Sequence, residues 1–209
     1  MTELPTAAAD PGRYHPGSAI KSYLAAGPAG AVTSEMLAAA AHERWSVKTG
    51  SDPDAQALTT QLPTATTVAD LVALPVPAVL PPDGRSDGAE KTVYQLTATL
   101  QEFGTEADGD VHMVLADDQG HTMIAEIPNP VDITSPSYFA SQIADTRAAF
   151  DSRFQVTENT SPQMGTRFQQ VTVPVTVTGL GFFDFAHGQS GVAPNAIELH
   201  PVIGIVFHG

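Results

Sequence analysis

Cysteine is missing from all 209 residues. Its absence excludes a disulfide framework, a thiolate metal site and a cysteine nucleophile. Cations are scarce: 9 Lys and Arg stand against 23 Asp and Glu, a formal charge of −14. Affinity for nucleic acid comes largely from cation–phosphate contacts, so this balance disfavours a nucleic-acid partner, and it disfavours an anionic membrane surface as well. No apolar run approaches the roughly 18 residues of a membrane span. Met1 to Asp10 offers neither a basic start nor an apolar core, so no secretory signal is read there. Cytoplasm is the default expectation, and a trimmed export signal would leave the same sequence. At 42% hydrophobic residues the chain is no disordered acidic tail.

Texture divides the chain into three. Residues 1–32 carry Pro5, Pro11, Pro16 and Pro28 and read as a flexible arm, a candidate for self-association into a homo-oligomer. Residues 33–90 read as a helical and Pro-rich segment packing on a β-barrel formed by 91–209. Thr33 and Ser34 cap a helix through about Arg44, Trp45 serves as a core anchor, and Thr67 with Asp70 makes a capping box for a short helix. Pro75, Pro77, Pro81 and Pro82 make 75–90 a strap. From residue 91 onward, period-two alternation takes over. Tyr94, Leu96, Ala98 and Leu100 mark a first strand; Val111, Met113 and Leu115 a second; and His121 to Ile127 a third, joined to the second through Asp117-Asp118-Gln119-Gly120. Ser135 is expected to cap a helix starting at Pro136, with Phe139, Ile143, Phe150 and Phe154 as its apolar stripe. Val171 to Val177 and Ile197 to Ile205 complete five strands, with Pro174 placed at an edge or bulge. A mainly β (α+β) chain in this order suggests an OB-fold-like five-stranded barrel with one intervening helix, and Gly179 and Gly181 fall where the fourth strand would bend.

Several stretches resemble a family of uncharacterised bacterial proteins: Arg44-Trp-Ser-Val-Lys-Thr-Gly50, Asp108-Gly-Asp-Val-His-Met-Val-Leu115, Thr122-Met-Ile-Ala-Glu-Ile-Pro128, and the run from Gly179 to Val202 that contains Asp184, His187, Asn195, Glu198 and His200. The resemblance spans about 44–207. It implies no activity, substrate or cofactor; similar proteins often carry an export signal.

Strand alternation selects the chemistry. With Val111 and Met113 inward, Asp110 and His112 face the other way; with Ile197 and Leu199 inward, so do Glu198 and His200. Asp184, His187, Gln189 and Asn195 fall in the loop before the last strand, Glu106 and Asp108 in the loop after the first, and Glu126 ends the third. Three uses fit such residues: a structural polar network, a zinc or manganese site with His112, His187, His200 and Glu198 as ligands, or acid–base hydrolysis by a carboxylate-oriented histidine, with Glu198 or Glu126 as base. Other motifs are excluded on spacing. Gly188-Gln-Ser-Gly191 is no nucleophile elbow, Val111 stands where a calcium loop needs glycine, Gly179-x-Gly181 lacks a third glycine, and Lys48-Thr-Gly50 reads as a turn after a helix. Residues 91–209 hold four cations against thirteen acids, too few for a basic groove. The reading is a non-enzymatic binding or interaction module, the alternative a metal-dependent hydrolase using the same residues.

Overall fold

The alternating segments do form strands. In the computed structural model, which describes residues 44–106, 108–133, 136–155, 168–184 and 189–209, the chain is mainly β. Two short helices, α1 (Trp45–Lys48) and α2 (Ala55–Leu58), precede the two-residue strand β1 (Thr64–Ala65) and helix α3 (Val68–Val72). A 3-10 turn at Ala89–Lys91 leads into β2 (Val93–Thr105), β3 (Val111–Ala116) and β4 (Thr122–Ile127). Helix α4 (Ala140–Phe154) connects to β5 (Gln169–Phe183) and β6 (Ile197–Phe207).

The strands make one six-stranded mixed sheet, where five were expected; β1 had no signal, being two residues long and exposed. Hydrogen bonds run round a ring, β2–β3–β4–β6–β5, and return to β2 through an antiparallel ladder with β5. The ring is antiparallel except between β4 and β6, which run parallel through only two pairs, Ile124 with Glu198 and Ala125 with Leu199. Strand β2 borders both β3 and β5, and its register shifts between Leu100 and Glu102, so Gln101 bulges and the long strand can turn. Register also shifts in β5 at Gly179 and Gly181, where a bend was expected. A Cβ on Gly181 would run into the carbonyl of Ala89, so glycine there lets the 3-10 turn close on β5. Pro174 pairs opposite Thr99, but its carbonyl accepts from the His208 amide just past the end of β6. Its missing N–H therefore points beyond a strand end and no ladder bond is lost.

The core fills the ring from inside with Leu96, Leu100, Met113, Leu115, Met123, Val177 and Leu199. Helix α4 adds Phe139, Ile143 and Phe150, and Phe150 meets Phe103 edge-on at 5.1 Å. The helix begins at Ala140 rather than Pro136, because Ser137 turns the chain first: its hydroxyl accepts from the Phe139 amide and donates to the Thr49 carbonyl. Ser135, the arm 1–32 and the helix expected over 33–43 lie outside the described residues. Thr67 caps α3 as expected, its hydroxyl accepting from the Asp70 amide; the Asp70 carboxylate accepts from that hydroxyl and not from the Thr67 amide that a full capping box uses. Among the described residues no helix is long and apolar enough to cross a membrane.

Residues 44–90 are attached by buried charge. Arg44, with a left-handed backbone (φ 54°), forks onto Glu90 at 2.7 and 2.8 Å and spends its other three N–H groups on the carbonyls of Pro81, Gly84 and Phe183. Glu90 also accepts from the Ser86 amide and hydroxyl and the Phe183 amide. Arg85 pairs with Asp52 at 3.0 Å and donates to the carbonyls of Val47, Glu90 and Gly181. Trp45, the expected anchor, is only partly buried, because Arg44 and Val47 take the inner positions on either side of it. Breaking a buried ion pair from one side strands the other charge, at a cost of about 3–5 kcal/mol. Glu90→Ala should lose stability on that scale in urea unfolding; a loss within experimental error would mean that Arg44 finds water.

Candidate functional site

Several residues of β3, β4 and β6 that point away from the core do not reach solvent. His112, Glu126, Glu198 and His200 are buried although they alternate with core residues. Phe182 lies on that face with Arg44 and Lys48 over its ring at 4.9 and 5.7 Å. The loop after β5 closes down so tightly that a Cβ on Gly191 would overlap Val114.

His112 faces Glu126 across the β3–β4 ladder. Its Nδ1 lies 3.0 Å from Glu126 Oε1 and 3.1 Å from Glu106 Oε1, and its Nε2 lies 2.9 Å from the Ser190 carbonyl. A carbonyl oxygen only accepts, and so does a carboxylate, so both ring nitrogens carry hydrogen and the ring is a cation. Burial opposes that charge, but the hydrogen bonds to Glu106 and Glu126 outweigh it and push the pKa up to about 11.

His200 is brought to Glu126 by the parallel ladder, since the two residues follow the last β4–β6 pair. Its Nδ1 is 3.1 Å from Glu126 Oε2 and its Nε2 is 3.4 Å from Asp110 Oδ2. Neither contact is aimed as a hydrogen bond. Both nitrogens and Asp110 Oδ2 are buried without a hydrogen-bond partner. Burial lowers the ring's affinity for a proton, yet the facing carboxylates of Asp110 and Glu126 win and push its pKa up to about 9. Asp110 is fixed by its other oxygen, which accepts from the Asn129 amide at 2.8 Å.

Carboxylates in the cluster diverge. Burial pushes Glu126 up, but the two imidazoles and Lys48 hold it well below the usual range. Glu198 goes the other way: burial, Asp184 and Glu126 raise it well above that range, and its Oε2 has no hydrogen-bond partner. Burial and the Asp110 charge push Asp108 up to about 7. Lys48 sits 3.5 Å from Asp184 Oδ2; burial opposes its charge, but Asp184, Glu126, Glu198 and Asp110 together raise its pKa.

No family model and no curated protein matches the chain. A solved structure titled "OBody AM3L09 bound to hen egg-white lysozyme" is similar at 9% identity over 71% of this chain and 96% of that one, with a TM-score of 0.38.

Of the residues singled out from sequence, Asp110, His112, Glu126 and His200 stand in direct contact, and Asp184 and Glu198 join them electrostatically through Lys48. The couples form across strands rather than within them: Asp110 meets His200, not His112. Asn195 is elsewhere. It donates to the carbonyls of Leu71 and Leu74 and ties the loop to α3. Gln189 is partly buried beside Ser190, and His187 lies outside the described residues. His121 pairs with Asp117 at 2.7 Å in the exposed β3–β4 turn. Donor atoms converge within 4.8 Å in two groups, Glu106–His112–Glu126 and Asp110–Glu126–His200, so the expected ligands His112 and His200 fall in different groups and Glu198 in neither. Lys48 was missed. Its motif reads as a turn, and no periodicity links it to an aspartate at the end of β5.

The shifted histidines predict a pH profile for chelator-treated protein. Both native pKa values exceed the ordinary value of about 6.5, so their stabilisation is complete below that pH and is lost as pH rises through about 9 for His200 and about 11 for His112. Glu126, held low, loses its contribution only in acid. Thermal melts should therefore fall steadily from pH 7 to 10, and His200→Gln should make the part below pH 9 shallower, leaving the share that His112 contributes. A flat wild-type profile would mean neutral rings.

Proposed function

We propose that the chain is a non-enzymatic binding module built on an OB-fold-like five-stranded barrel. The ring order β2–β3–β4–β6–β5, with a helix between β4 and β5, supports the barrel, and β1 is an addition at its edge. In such a barrel the face of strands two and three, here β3 and β4, with the loops beside it is the customary binding surface, and that face carries His112 and Glu126 of the cluster.

The observation that carries the reading is enclosure. His112 and His200 are 0% exposed and Asp110 is 1% exposed. A general acid or base must reach the reacting atom directly or through one water, and among the described residues these groups meet Glu106, Glu126, one another, two phenylalanine rings and backbone. Whatever the cluster holds is as small as an ion. The same enclosure keeps a polymer away, and the excess of acids over cations disfavours nucleic acid as a partner for the outer surface.

The alternative, a metal-dependent hydrolase, makes a different forecast. With Zn²⁺ or Mn²⁺ supplied, chromogenic phosphodiesters, carboxylic esters and peptides should be turned over no faster by the wild-type chain than by Glu126→Gln. A wild-type rate about tenfold or more above that variant would replace the binding reading with the hydrolase.

A further inference from the structure

We propose that Asp110, Glu126 and His200 bind one divalent transition-metal ion, zinc or manganese, where β4 and β6 part. The proposal rests on the cluster being a binding site and names its ligand.

Three donor atoms, one from each residue, already lie within 4.8 Å of one another, all buried. Crowding of acids alone would mean little. The telling feature is His200, a fully buried imidazole with neither nitrogen hydrogen-bonded, set between two carboxylate oxygens. Leaving buried polar atoms unpaired is costly. A metal with bonds of about 2.0–2.1 Å in tetrahedral geometry keeps its ligands roughly 3.3–3.4 Å apart. The 3.4 Å gap from His200 Nε2 to Asp110 Oδ2 has that size. Glu126 supplies the third donor, within the same 4.8 Å.

The remaining oxygens are committed elsewhere. Asp110 Oδ1 holds the Asn129 amide and Glu126 Oε1 holds His112, so Oδ2 and Oε2 are the atoms turned inward. Glu198, two residues before His200 on the same face of β6, presents another partnerless oxygen. Lys48 pairs with Asp184 and acts electrostatically on Glu126 and His200, a charge that an arriving cation must share the cluster with. The neighbouring group Glu106–His112–Glu126 is no rival, because both nitrogens of His112 are already bonded. One imidazole among carboxylates suits zinc or manganese better than the all-oxygen ions calcium and magnesium.

The test is calorimetric titration of the full chain, freed of metal, with ZnSO4 or MnCl2 alone. One ion per chain is expected, with affinity lowered about tenfold or more by Asp110→Asn and by His200→Gln, and unchanged by Asp117→Asn, which alters the exposed His121 pair instead. No binding of either metal, binding unaffected by both cluster variants, or equal loss in Asp117→Asn overturns the proposal. Should the cluster variants fail to fold, pulsed electron paramagnetic resonance of the wild-type chain with Mn²⁺ decides. Coupling to one imidazole nitrogen supports the site; oxygen and water couplings alone overturn it. Absence of metal would leave the non-enzymatic reading standing, whereas turnover abolished in Glu126→Gln would overturn that reading and leave the ion in place.

Discussion

One carboxylate shared by two imidazoles organises the outer face of this protein. Glu126 reaches His112 with one oxygen and His200 with the other. The first contact is set by the β3–β4 hairpin, a local pairing. The second depends on β4 and β6 running side by side for only two residue pairs, between segments some seventy positions apart. Without that short parallel ladder the histidines would belong to separate strands and Asp110 would face no partner. The same ladder completes the ring of hydrogen bonds, so closure of the sheet and assembly of the cluster are one event.

Much of this was legible in sequence because it is local. Period-two alternation placed the long strands, Asp117 and Gly120 announced the hairpin turn, and Thr67 with Asp70 announced α3. Alternation also put Asp110, His112, Glu198 and His200 on one side of their strands. Long-range outcomes were not legible. Partners were exchanged across strands, since residues two apart on one strand are roughly 7 Å apart while neighbours across a ladder are roughly 5 Å apart. Lys48 enters from a helix of four residues, and the bulge at Gln101 answers to two neighbouring strands at once. Alternation likewise predicts a wet outer face, yet all six residues of β3 are buried: the loop before β6 packs on Val114 and reaches His112, and the Phe168 ring meets His112 edge-on.

Among the described residues the charges around Glu90 and those around His200 are both buried, and they differ in kind. Around Glu90 every donor of Arg44 is matched to an acceptor, and the carboxylate accepts from side chains and amides alike. That is the satisfied condition under which buried ions hold a fold in one arrangement. Around His200 the distances are short but the directions are wrong, and oxygens and nitrogens alike remain unpaired. On the proposed reading, the completed network fastens the chain and the open one is where the ion is received.

The Arg44–Glu90 clasp also bears on how the molecule meets electrolyte. Its side chains are wholly shielded, so mobile ions cannot gather round them, whereas acids such as Asp70, Asp83, Asp87, Asp118 and Asp145 face water. Raising ionic strength therefore damps the repulsion among surface acids and leaves the clasp untouched: a brine-tolerant fold, firmer in concentrated salt than in dilute buffer.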